Sequence, residues 1–130
     1  MDHFSLKLLL VEDNLLNQKL ICLTLGKYGF NIDLAENGAK ALSMIKDNHY
    51  DLILMDIMMP NMDGHQAAKA IRALGIERSD AVTIPIIALS ANAFIDDIQE
   101  SLDLGMNAHI SKPINMEELI DTITKYIKRD

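Results

Sequence analysis

The 130-residue chain predicts an α/β protein, a parallel sheet flanked on both faces by helices. Three observations predict it. Strand-length apolar runs alternate with helix-length segments whose apolar residues recur three and four positions apart. The run Leu52–Met55 (Leu-Ile-Leu-Met) has no polar position, as expected of a strand buried on both faces. Gly, Pro and Asn punctuate the junctions between the two kinds of segment.

Taken in order, Leu6–Val11 is a first strand, closed by Glu12-Asp13-Asn14, and Asn14 can cap the helix that follows. Over Leu15–Tyr28 the residues Leu16, Leu20 and Leu23 have the spacing of an amphipathic helix; Gly29 fits a left-handed C-terminal cap. Phe30, Ile32 and Leu34 alternate with polar neighbours, which suits a strand near a sheet edge. After the break at Asn37-Gly38, Ala39–Lys46 places Ala41, Leu42 and Ile45 at helical spacing. The third strand, Leu52–Met55, leads into Asp56, then a loop through Pro60 and Gly64 and a helix over His65–Leu74. Ile84–Leu89 is the fourth strand, with Pro85 tolerable near its start. Ser90–Ala93 is a turn, and Phe94–Leu104 a helix with Phe94, Ile98 and Leu102 on one stripe, ended by Gly105. Ala108–Ile110 is the fifth strand, and Asn115-Met116-Glu117-Glu118 a capping box for a last helix reaching Lys128. Five strands alternate with five helices, and no repeat or linker interrupts them, so residues 1–130 are expected to form a single domain with no second, effector domain.

Composition narrows the function classes. A formal net charge of −7 argues against direct nucleic-acid binding, which needs a basic surface. No apolar run nears the roughly 20 residues of a membrane span, and the N-terminus lacks a signal-peptide pattern, so a cytoplasmic protein, or the cytoplasmic module of a membrane-bound sensor, is expected. The lone Cys22 lies in an apolar helical pattern and reads as a small core residue. His3, His49 and His65 have no ligand spacing and read as surface residues.

In a parallel α/β sheet the reactive groups lie past the C-terminal ends of the strands. The first, third, fourth and fifth strands end there on Glu12 and Asp13, Asp56, Ser90 and Lys112. Carboxylates gathered so closely repel unless a counter-charge lies among them. A hard divalent cation, Mg²⁺ or Mn²⁺, is the natural one, since it takes oxygen ligands and is usually shared with a phosphate. Lys112 adds a fixed positive charge and Ser90 a hydroxyl donor. Carboxylates, cation, lysine and hydroxyl together suit a phosphoryl group, and Asp56 is the carboxylate central enough to accept it as an acyl phosphate. Positioning and charge stabilisation would carry such a transfer.

Leu9–Asn14 (Leu-Leu-Val-Glu-Asp-Asn), Leu54–Gly64 (Leu-Met-Asp-Ile-Met-Met-Pro-Asn-Met-Asp-Gly), Ile86–Ala91 (Ile-Ile-Ala-Leu-Ser-Ala) and Ser111-Lys112-Pro113 together resemble the receiver domain of two-component response regulators. The resemblance runs over nearly the whole chain. It implies a flavodoxin-like (βα)₅ fold with sheet order 2-1-3-4-5, and Asp56 as the residue phosphorylated from a phosphohistidine. By the same resemblance Asp13 and Asp56 are direct Mg²⁺ ligands, Glu12 acts partly through water, and the Met58 main-chain carbonyl is a further ligand. Ser90, Ala91, Lys112 and Met58 would surround the phosphoryl group, with Ser90 turning toward it and Lys112 pairing with it. Lys112-Pro113 matches a bond that is often cis in receivers.

Glu12–Gln18 (Glu-Asp-Asn-Leu-Leu-Asn-Gln) and Ala88–Phe94 are most like receivers attached to hybrid sensor histidine kinases. The implied partners are a histidine kinase or a histidine phosphotransfer domain, docking near Leu15 on the first helix. A homodimer through the last two helices and the fifth strand is a further expectation. One departure is visible: His109 stands where receivers often carry the Tyr or Phe that swings inward as the Ser/Thr moves. Its imidazole is smaller, polar and able to charge near neutral pH, which leaves two readings, a weaker or pH-sensitive switch and a surface histidine.

Two other chemistries use similar residues. A haloacid dehalogenase-type phosphatase needs a second Asp two positions after the nucleophile, where this chain has Met58. A flavodoxin needs a phosphate-binding first loop, which Glu12-Asp13 would oppose by charge. A receiver used only for docking keeps the fold without the chemistry, and the intact site residues oppose it. An apolar Met58 cannot orient water toward an acyl phosphate whereas Asn92 can, which leaves the phosphoryl lifetime open.

Overall fold

The computed structural model describes residues 7–56, 69–71, 84–90, 106–111 and 114–127. Strands β1 (Lys7–Val11), β2 (Asn31–Ala35), β3 (Leu52–Asp56), β4 (Ile86–Ser90) and β5 (Ala108–Ser111) form one parallel sheet in the order β2-β1-β3-β4-β5. The described helices are α1 (Leu15–Lys27), α2 (Gly38–Asp47) and α3 (Met116–Ile127). Residues 69–71 are helical, inside the expected 65–74 segment, whose remainder lies outside the described residues with the 94–104 helix.

Every residue of β3 is buried, as its unbroken apolar run requires of a central strand covered on both faces. The sheet divides the core in two. Ile21 and Leu25 of α1 and Leu119, Ile123 and Ile127 of α3 pack with Leu8, Leu10, Leu52, Leu54, Ile87, Leu89 and Ile110 on one face. Ala41 and Ile45 of α2, with Ile71, pack with Leu9, Val11, Ile53, Met55 and Ala88 on the other. Period-two alternation along each strand supplies both faces.

Each described helix opens on an asparagine. The Oδ1 atoms of Asn14, Asn37 and Asn115 accept from the main-chain N–H three residues on, at 2.9, 2.8 and 3.1 Å. α1 closes with Gly29 at φ 87°, where the Gly29 and Phe30 N–H groups reach the Gly26 and Leu25 carbonyls at 3.1 and 3.3 Å. Phe30 and Leu25 also share one core cluster, completing a Schellman ending. At the fourth strand the ladder begins at Ile86, after Pro85, whose carbonyl still accepts from Ile53 N at 2.9 Å. Pro85 lacks an N–H, and placing it ahead of the strand spares the ladder a missing donor.

The stripe Leu16, Leu20 and Leu23 faces away from the sheet, with exposures of 74%, 51% and 68%, and Leu15 is 71% exposed beside it. The buried face of α1 is Gln18, Ile21 and Leu25. Ile21 and Leu25 are also apolar at helical spacing, so the pattern by itself does not tell the buried side from the exposed one. Cys22 is half-buried against the α1-side cluster, and burial raises the pKa of its thiol, in keeping with a packing role. His49 is exposed, as expected, while His3 and His65 lie outside the described residues. Among the described residues no helix is long and apolar enough to cross a membrane.

Candidate functional site

Sheet register sets the height of the acidic residues. Val11 pairs with Met55, so Glu12 and Asp56 follow at the same level on neighbouring central strands. Asp56 pairs with Leu89, and Ser90, closing β4, stands opposite Ser111 one level higher. Leu54 and Leu10 belong to the α1-side cluster, and Asp56, two residues past Leu54, continues that face.

One carboxylate oxygen from each of Glu12, Asp13 and Asp56 lies within 4.8 Å of the others. Glu12 and Asp56 are 0% and 1% exposed, while Asp13 faces solvent. The arrangement is a half-open cup, with two buried carboxylates at its floor and one at its rim. An all-oxygen donor set with an open side suits a hard divalent cation that keeps several waters.

The first turn of α1 holds the cup from one side. Glu12 Oε2 accepts from Asn14 N at 3.2 Å, and Oε1 accepts from Asn17 Nδ2 at 3.4 Å. The Glu12 main-chain oxygen accepts from Gln18 Nε2 at 2.7 Å, and Glu12 N donates to Ala35 O at 3.0 Å. Gln18 is only 6% exposed, and sequence reasoning assigned no role to it or to Asn17. The available signal was a polar residue in register with Ile21 and Leu25, three and seven positions on, where a core-facing helix stripe calls for an apolar one.

Of the predicted site residues, Glu12, Asp13 and Asp56 come together. Ser90 ends β4 at the same sheet edge. Met58, Ala91 and Lys112 lie outside the described residues, as does Asn92. His109 on β5 pairs with Ala88 on β4 and alternates with the core residue Ile110, so it lies on the opposite sheet face from Asp56. It is half-buried with both ring nitrogens shielded from solvent, which does not suit a surface histidine.

A five-stranded parallel sheet of order 2-1-3-4-5 with carboxylates gathered at its C-terminal edge defines a flavodoxin-like α/β domain with a candidate cation site. The model of the response regulator receiver domain matches residues 8–124, and the chain belongs to that family. It is a phosphoacceptor receiver domain of the two-component type. It is 35% identical over 128 residues to the sensor histidine kinase RcsC of Escherichia coli, covering 98% of this chain and 13% of that protein. It is 42% identical to the hybrid signal transduction histidine kinase B of Dictyostelium discoideum, covering 93% of this chain and 7% of that one. The chain thus spans a small part of the curated relatives it matches.

Among solved structures, the receiver domain of the Pseudomonas aeruginosa sensor histidine kinase PA1611, with magnesium coordinated in its active-site cleft, superposes with a TM-score of 0.86 at 36% identity, covering 95% of this chain and 98% of that one. The receiver domain of Saccharomyces cerevisiae Ssk1, solved with the histidine phosphotransfer protein Ypd1, gives 0.87 at 31% identity, covering 93% and 88%.

Proposed function

We propose that Asp56 accepts a phosphoryl group from a phosphohistidine of a histidine kinase or phosphotransfer domain, and that the chain works as a switch rather than a turnover enzyme. The observation that carries this reading is the Glu12, Asp13 and Asp56 cup at the end of the central strands. Mg²⁺, or Mn²⁺ in its place, would be held by Asp13 and Asp56, with Glu12 acting partly through water and the Met58 carbonyl adding a ligand. Bound there, the cation supplies positive charge against the negative charge of an incoming phosphoryl group.

The remaining work falls to the chain. Asp56 is carried by a fully buried strand, so its carboxylate is aimed by the sheet rather than by a loop. Its oxygen bonds to phosphorus as the bond from phosphorus to the donor imidazole nitrogen breaks, and the imidazole leaves. Lys112 offsets charge on the transferred group, and Ser90 and Ala91 donate to its oxygens, which ties the loop after β4 to the phosphorylation state. His109 would be the ring that follows Ser90.

The exposed leucines of α1 support the partner half of the reading. Leu15, Leu16, Leu20 and Leu23 form an apolar surface starting one turn from the cup. A helix of the phosphohistidine donor laid along it would bring its imidazole to Asp56, and Ypd1 in the yeast complex is a partner of this class.

The test is intact mass after incubation with acetyl phosphate, with Mg²⁺ or with chelator, beside Asp56→Asn. A single added phosphoryl group that requires both Mg²⁺ and Asp56 is the expected result. No addition, under conditions that modify another receiver, would leave a docking domain with a silent site.

A further inference from the structure

Resting on that reading of the cup, we infer that Asn17 is a positioning residue for cation binding, acting through Glu12. A carboxylate with no exposed surface needs donors for its oxygens. Two donors to Glu12 come from the first turn of α1, the Asn14 N–H on Oε2 and the Asn17 amide on Oε1. The main-chain donor follows from the helix cap, since Asn14 also accepts from Asn17 N at 2.9 Å. The Asn17 amide is a side-chain contribution that the cap does not require. It fixes the rotation of the carboxyl group whose oxygen lies within 4.8 Å of those of Asp13 and Asp56.

The residue type fits the task. A Lys or Arg at position 17 could make the same bond but would repel the cation from a cup a few ångströms away. A Leu or Ala there would leave one Glu12 oxygen without this donor. The neutral amide orients Glu12 and leaves the charge of the cup unchanged. Groups that orient ligating side chains typically change metal affinity 10- to 100-fold when removed. At 3.4 Å the bond is long, so the effect belongs at the lower end, about tenfold.

The test is titration with MgCl₂ alone, no phosphoryl donor present, followed by the backbone amide resonances of Asp13 and Asp56. Asn17→Ala should weaken Mg²⁺ about tenfold, and Asn17→Ser, which keeps a short donor, should weaken it less. In a Glu12→Gln background, Asn17→Ala should cause no further loss, because the charge it orients is gone. Metal-free melting temperatures should fall for Asn17→Ala, which takes a donor from the buried Glu12 carboxylate, and fall less in the Glu12→Gln background, where that charge is absent. Wild-type affinity in Asn17→Ala, or an equal loss in both backgrounds, overturns the inference. If the wild type itself fails to saturate, the cation reading of the cup falls with it. Should Asn17→Ala fail to fold, Asn17→Ser in the two Glu12 backgrounds gives the same comparison.

Discussion

Gln18 donates its side-chain amide to the Glu12 main-chain oxygen at 2.7 Å, pinning the buried face of α1 to the end of β1. The donor is 6% exposed and the acceptor belongs to a fully buried residue, so neither partner is exchanged freely for bulk water. Gln18→Ala therefore strands a buried carbonyl and should cost about 1–3 kcal/mol. Urea unfolding should move to a lower midpoint at unchanged slope. A midpoint equal to that of the wild type would mean that water takes the place of the amide.

The two apolar stripes of α1 should respond differently to substitution. Leu16→Ser with Leu20→Ser removes side chains 74% and 51% exposed, and stability should change by no more than about 0.5 kcal/mol for each. Leu25→Ala, inside the core cluster, should cost about 2–5 kcal/mol. The double serine variant should still be labelled by acetyl phosphate yet receive phosphate slowly from a protein donor. Equal loss with both donors would argue against docking on this face.

Gly29 closes α1 at φ 87°, a conformation that costs an L side chain roughly 1–2 kcal/mol. Gly29→Ala should lower stability by about that amount, read as a drop in melting temperature. Gly26, one turn back, has open space around the position a Cβ would take, and Gly26→Ala should raise stability by about 0.5–1 kcal/mol through helix propensity.

At the opposite end of the sheet from the cup, Tyr50 donates its hydroxyl to Asp33 Oδ2 at 2.7 Å, and Lys7 Nζ lies 3.2 Å from the same oxygen. Burial first, then the hydrogen bond to Asp33 and its charge, push the Tyr50 hydroxyl well above its ordinary value near 10. A raised folded-state value means the native state holds its proton where the unfolded chain has begun to release it. The contribution is therefore complete below about pH 10 and declines as alkali rises past the unfolded value. Urea midpoints measured between pH 9 and pH 11 should fall more steeply for the wild type than for Tyr50→Phe. Parallel slopes would show that this phenol is not linked to folding.

Much of the site was legible in the chain because it depends on strand order and strand ends. Asp56 closes an unbroken apolar run, and Glu12-Asp13 closes another, so parallel pairing alone sends them to one edge. The roles of Asn17 and Gln18 were not legible, since a polar residue on an amphipathic helix reads as solvent-facing until its neighbours are known. His109 left a similar ambiguity, and its place opposite Ala88, with shielded ring nitrogens, comes from pairing between strands far apart in sequence.

The amino-acid sequence by itself determined the local features: fully apolar strands, asparagine caps, the Gly29 turn and the order of elements that forces a parallel sheet. These depend on backbone geometry and nearest neighbours, which any short window contains. Only the tertiary structure decided which side of α1 is core. Apolar residues lie on both of its sides, and periodicity measures apolarity without saying what it faces. Docking chose Gln18, Ile21 and Leu25 for the sheet, where the Gln18 amide meets the Glu12 carbonyl, and left Leu16, Leu20 and Leu23 in solvent.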